Sequence, residues 1–286
     1  MGQLCRCIIA ICISSFSFST ISADVQVMWQ NGQTPERHIV EKVSNWLDYG
    51  LAQVASTLTD LQQSSVPVFI HLKEYANEPV PWGEVARGDL DGITLHIHKN
   101  ASLAQLKADW TLYHELAHLY HPFFDYGDSW LGEGLATYLQ NVVMLQAGMI
   151  SKDDFTQRIS AGLTRGEAAT PTFQGKLSTV SANMWQLGAY QRVYWSGTAF
   201  FIESEAQLKA AGSKYNLTAL LARYQTCCKK SIVQSTNQTA VQFLTALDNL
   251  AKADVFIPLY LKYRVRGDFP NISQRQIRYL SNQYAR

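Results

Sequence analysis

Residues 110–118 read Trp-Thr-Leu-Tyr-His-Glu-Leu-Ala-His, and the last five, His114-Glu115-Leu116-Ala117-His118, spell H-E-x-x-H. Around them Leu103, Leu106, Trp110, Tyr113, Leu116, Ala117 and Tyr120 recur at helical spacing, which predicts a helix through the motif. Histidines four apart on a helix stand one turn above each other on one face. Their imidazoles can converge on one Zn²⁺, and the glutamate between them can act as a base on water beside the metal. The chemistry to expect is metal-assisted hydrolysis, of a peptide bond before any other.

A third ligand is needed, and the chain offers one nearby. Pro122 ends the first helix, and the turn-rich Asp125-Tyr126-Gly127-Asp128-Ser129 leads into Trp130-Leu131-Gly132-Glu133-Gly134-Leu135-Ala136-Thr137-Tyr138. A second helix starting there, capped by Asp128 or Ser129, can point Glu133 back at the histidine pair. Two histidines and one glutamate leave a fourth zinc position open, the catalytic pattern. Asp125 and Asp128 compete for the same role, though Asp128 reads better as a cap. His121, followed at once by proline, reads as a surface or supporting histidine and not a ligand.

The pairing of H-E-x-x-H with a downstream W-L-x-E-G-x-A-T-Y resembles the gluzincin metallopeptidases, in particular their aminopeptidase and glycyl-aminopeptidase branches; it covers about residues 110–140. The resemblance implies one zinc ion held by His114, His118 and Glu133, with Glu115 as general base. It implies an α+β, zincin-like fold: a small mixed sheet beside the zinc helix, then a mainly helical C-terminal lobe. Further on, Tyr194-Trp195-Ser196-Gly197 is similar to the Y-x-x-G segment of the same relatives, whose tyrosine donates to the oxyanion. That role falls on Tyr194, with Tyr190 one turn earlier as the fallback. A preorganised donor to developing negative charge is a large catalytic term, so the need is physical. The G-x-M-E-N segment of standard aminopeptidases is missing, which argues against that subclass. Arg192 reads as a solvated cation or a grip on a substrate carboxylate.

The rest of the chain bounds the setting. Residues 1–23 read as a secretory leader: Arg6, an apolar run from Cys7 to Phe18, and the small-residue exit Ile21-Ser22-Ala23. The product expected from Asp24 onward is exported, periplasmic or secreted, with no membrane span. The formal net charge is +1 and no basic block occurs, which excludes nucleic acid as a natural partner. Three of the five cysteines fall in the leader. The other two, Cys227 and Cys228, are adjacent, so they are expected to stay reduced or to pair between molecules.

One zincin-like unit is expected over 24–286, with an α/β lobe at 24–125 and a mainly helical lobe at 126–286. Ile39, Val43, Trp46, Leu47, Leu51, Val54 and Leu58 predict a long amphipathic helix from Glu36 to about Leu61. Pro67–Leu72, Gly83–Arg87 and Gly92–His98 predict strands. Thr94–His98 is the expected edge strand for an extended substrate, and His96 and His98 fall on its polar face. The Ser/Thr/Gly-rich stretch 164–183 is expected to be mobile. The partner implied is a peptide or protein substrate; oligomeric state is not written in the sequence. A rival reading keeps the zinc ligands without turnover, as an exported zinc- or peptide-binding protein.

Overall fold

The structure, a computed structural model, describes residues 23–30, 35–229 and 239–286. Nearly all of the expected leader lies outside them. The α/β part comprises β1 (Asp24–Trp29), α1 (Arg37–Leu58), β2 (Ser65–Lys73), β3 (Trp82–Ala86) and β4 (Gly92–His98). The sheet order is β1-β2-β4-β3; β1–β2 and β2–β4 are parallel and β3–β4 is antiparallel. Alternation along the strands buries Val66, Val68 and Ile70 with Ile93, Leu95 and Ile97, while Phe69, His71, Thr94 and His96 face outward. The apolar stripe of α1 is buried as its spacing requires, and Gly50 lets it close on Leu112.

The edge strand is not the expected one. β4 lies between β2 and β3, so Thr94–His96 is paired on both sides, and the edge strands are β1 and, beside β4, β3. The turn at Arg87–Asp91, closed by Arg87 Nη1 on Asp91 Oδ2 at 2.8 Å, folds the two strands back to back and puts β3 outermost.

The helix expected from Leu103 to Tyr120 is two helices, α2 (Leu103–Ala108) and α3 (Thr111–His118). Asp109 turns extended between them, and its carboxylate accepts from the Thr111 amide at 2.8 Å. This local acceptor restarts the helix on a new axis. Every residue of α3 is buried. A single 3₁₀ turn, Tyr126–Asp128, leads to α4 (Ser129–Gln146). Asp128 stands at the cap position of α4 but does not cap it. Its carboxylate accepts from the Tyr260 hydroxyl at 3.0 Å, and the Trp130 amide donates instead to Ser181 Oγ.

The helical part continues with α5 (Lys152–Ala169), α6 (Leu177–Ala182), α7 (Met184–Leu187), α8 (Tyr190–Ala210), α9 (Leu217–Cys227), α10 (Ala240–Ala251), α11 (Phe256–Tyr263) and α12 (Gln274–Tyr284). The stretch expected to be mobile, 164–183, holds the end of α5 and all of α6. Arg192 ties it down: buried, its Nη2 donates to the Gly175 carbonyl at 2.6 Å and the Gly267 carbonyl at 3.2 Å. Arg192 is thus a structural clamp, neither solvated nor in the cleft. Cys227 and Cys228 are joined to each other, against expectation. The architecture is α+β, a small mixed sheet beside the helix of the H-E-x-x-H motif followed by a mainly helical part, as the motifs implied. No helix among the described residues is long and apolar enough to cross a membrane.

Candidate metal centre

α4 and α8 meet at two glycines, and this crossing builds half of the site. A Cβ at Gly134 would fall 2.7 Å from the Thr198 amide nitrogen and closer still to the Gly197 backbone. A Cβ at Gly197 would fall 2.7 Å from Gly134 Cα. Only glycine at both positions lets the backbones touch. Glu133 precedes one glycine and Tyr194 lies one turn before the other, so the crossing presents both side chains to α3. The E-G and Y-x-x-G motifs are two sides of one contact.

On α3, His114 Nε2 and His118 Nε2 are 3.2 Å apart, and Glu133 Oε2 lies 3.2 Å from the first and 3.6 Å from the second. These three form the one group of three or more His, Cys, Asp or Glu side chains among the described residues with ligand atoms mutually within 4.8 Å. Asp125 and Asp128 are not in it, and neither are His96 and His98; the His96 ring packs on His71 at 4.6 Å.

Hydrogen bonds fix which nitrogens face the group. His114 Nδ1 sits 2.8 Å from Gln140 Oε1, an acceptor, so Nδ1 carries the proton and Nε2 a lone pair. His121 Nδ1 donates to the Pro122 carbonyl at 2.7 Å, which leaves His121 Nε2 an acceptor. That nitrogen lies 3.0 Å from His118 Nδ1, which must therefore donate, leaving His118 Nε2 with its lone pair. His121 is buried and held neutral: burial, the neighbouring His118 and Arg87 push its pKa well below the usual histidine value. It is a supporting residue, not a surface one. Gln140 and His121 are thus the groups that orient the two ligand imidazoles. Two lone pairs and a carboxylate oxygen thus point into one small volume, three acceptors with no donor among them. A divalent zinc ion is the natural complement of such a His₂Glu set. Without a cation the group shares protons. Burial lowers His114, but Glu133 and Glu115 raise it more, while His118 stays below its ordinary value; the two imidazoles hold Glu133 ionised.

Glu115 is buried on α3 under the start of β3. A Cβ at Gly83 would stand 2.7 Å from Glu115 Cγ, so the missing side chain leaves the carboxylate its place. Burial pushes its carboxyl up to about 8, with Glu133 and Glu84 adding and His114 opposing. The Tyr194 ring stacks on His114, centroids 5.9 Å apart and planes at 11°. Burial first, then the Glu133 carboxylate bonded to it, raise the hydroxyl well above its ordinary pKa, so it stays a donor. Tyr190 sits farther out, 6.4 Å from the Tyr194 ring and 5.3 Å from Trp185. A cleft of about 770 Å³ opens here, lined by His114, Glu115 and Tyr194 with Trp82, Trp110 and Trp185.

Residues 124–200, which include Glu133 and Tyr194, match the model of the M61 glycyl aminopeptidase family. No curated protein matches the chain in sequence. Among solved structures, a mutant of a two-domain M1 zinc metallopeptidase bound to L-arginine is 13% identical with a TM-score of 0.52, over 88% of this chain and 50% of that one. An aminopeptidase N family protein from Idiomarina loihiensis is 12% identical with a TM-score of 0.56, over 88% and 46%. The chain spans about half the length of these structures, and at such identity the likeness is one of fold. Over residues 124–200 the chain is thus similar to the M61 glycyl aminopeptidase family, and over most of its length it shares the fold of M1 zinc metallopeptidases.

Proposed function

We propose that this chain is an exported, zinc-dependent peptidase that hydrolyses peptide bonds in its cleft. The observation that carries the reading is the convergence of His114, His118 and Glu133 with Glu115 on the same buried helix, facing a cleft large enough for a peptide. One zinc ion held by these three ligands supplies Lewis acidity toward water and the scissile carbonyl. Glu115 takes the proton of the attacking water and later delivers it to the leaving amine. Its raised proton affinity suits both halves of that task. Tyr194 donates its hydroxyl to the oxygen of the attacked carbonyl as charge grows there. Its stacking on His114 holds the donor in place before substrate arrives. The free edge of β3 offers main-chain donors and acceptors to an extended peptide, the usual way a sheet edge binds one. Export is supported by the leader-like residues 1–23.

Zinc analysis and a mixed-peptide digest with a chelator control test the reading. The expected result is one zinc per chain, lost in His114→Ala, and cleavage that stops with chelator. Glu115→Gln is expected to keep the metal and lose about 10²–10⁴-fold in turnover. A protein that holds zinc and binds peptides, but cleaves none at any pH, is the binding-only alternative and ends the peptidase reading.

A further inference from the structure

The cleft has one wall whose charge this chemistry leaves unused. Arg158 and Arg165 lie about two turns apart on α5, on one face, and both line the cleft with the candidate centre. Neither guanidinium pairs with a carboxylate among the described residues. Arg158 Nη1 rests on the Met144 sulfur at 3.5 Å. Asp154, four residues earlier and its natural partner, accepts from the Ser151 amide and hydroxyl to cap α5. Arg165 is held but not neutralised: its Nε donates to Gln191 Oε1 at 3.0 Å, and its guanidinium lies 5.4 Å over the Trp195 ring. Its terminal nitrogens are left for the cleft. Beyond Glu115, the acid of the lining is Glu78, which comes from the segment before β3 and not from α5.

A guanidinium fork matches a carboxylate in two parallel hydrogen bonds. Two such forks on a cleft wall, that of Arg165 steadied by a glutamine and an indole and that of Arg158 resting on a thioether, read negative charge on whatever lies there. We propose that Arg158 and Arg165 select peptides that present a carboxylate to the α5 wall, either the C-terminal carboxylate or an Asp or Glu side chain. The inference rests on the peptidase reading for what happens to the bound peptide, but not for the binding.

The test uses four peptides of one parent sequence: free acid, C-terminal amide, and an internal Asp or Asn in the amide background. Hydrolysis by the zinc protein gives kcat/KM, and tryptophan fluorescence of Glu115→Gln gives Kd. The expected preference is about tenfold for a carboxylate over its neutral twin, expressed in KM and Kd, and shrinking as salt rises. The arm that shows it, acid against amide or Asp against Asn, identifies the source of the carboxylate. In Arg158→Gln/Arg165→Gln the ratio falls to within about twofold of one, and Arg158→Glu turns it toward the neutral peptide. The ratio is taken within each variant, so a general loss of activity cancels. Peptides cleaved with no carboxylate preference, or a preference that survives the double substitution, overturn the inference and leave the peptidase reading standing. A preference in Kd with no hydrolysis by the zinc protein does the reverse.

Discussion

Gly134→Ala tests whether the crossing of α4 and α8 builds the site. The new methyl would stand 2.7 Å from the Thr198 nitrogen and closer to the Gly197 backbone. Ordinary carbon contacts begin near 3.5 Å, so the helices must part by roughly 1 Å. Nothing at the contact can rotate away, because the opposing atoms are main chain. Overpacking of this kind costs about 1–3 kcal/mol. In a chain of this size that lowers Tm by roughly 3–9 °C. The functional cost is larger. Glu133 rides on one helix and Tyr194 on the other, so a displacement near 1 Å spoils both, and misplacements of that size cost about 10²-fold in rate. Thermal unfolding with and without zinc, beside kcat/KM on a cleaved peptide, measures both effects. Gly127→Ala is the control: a methyl there meets only the Ser178 carbonyl at an ordinary 3.7 Å. A Gly134→Ala protein that melts and cleaves like the parent refutes the crossing as the origin of the Glu133–Tyr194 geometry.

Three further outcomes follow from named contacts. Gly83→Ala puts a methyl 2.7 Å from both Glu115 Cγ and Thr111 Cγ2; zinc content is expected to stay at one while kcat falls at least about tenfold, read by metal analysis and turnover together. Gln140→Ala and His121→Ala each remove the partner that fixes a ligand's tautomer, and competition against a chelator is expected to show zinc affinity down about 10–100-fold in each. Glu205 is buried among Tyr138, Tyr284 and Gln283, and burial raises its pKa above 4.5 despite the hydrogen bonds those groups give it. The folded chain therefore binds this proton more tightly than the unfolded one. Its stabilisation is full below pH 4.5 and drains away as pH rises through the raised value. Denaturant unfolding across that window is expected to show a downward slope that Glu205→Gln flattens; an unchanged slope refutes the assignment.

What the sequence made legible was local chemistry. The i, i+4 histidines needed only helical geometry, and Glu133 needed only a turn and a second helix start. The hydrophobic period of α1 located it to within three residues at either end. Legibility stopped where a distant partner decides. Whether β3 or β4 takes the edge depends on which strand joins β2, and both carry similar alternation. Asp109 breaks the expected helix because its carboxylate finds the Thr111 amide, an outcome that spacing of apolar residues does not register. Arg192 looked like a free cation because its acceptors, the carbonyls of Gly175 and Gly267, lie far away in sequence.

The third histidine shows the limit most clearly. In His118-Leu119-Tyr120-His121-Pro122, spacing and the following proline spoke against a metal ligand at His121 but left a surface and a supporting role both open. The outcome is set by the Pro122 carbonyl, which can only accept, and by Gly132, where a Cβ would stand 3.1 Å from His121 Cε1. The carbonyl fixes the His121 tautomer, His121 fixes that of His118, and the lone pair of His118 then faces Glu133 and His114. Stacking on Phe124, at 4.9 Å and 5°, keeps the middle ring in line. A neutral histidine in this position orients its neighbour without adding charge, so a His₂Glu centre here keeps its positive charge for the substrate. An acidic partner in the same place would offset part of it. The motif thus extends four residues beyond its second histidine, to a proline whose role is its oxygen.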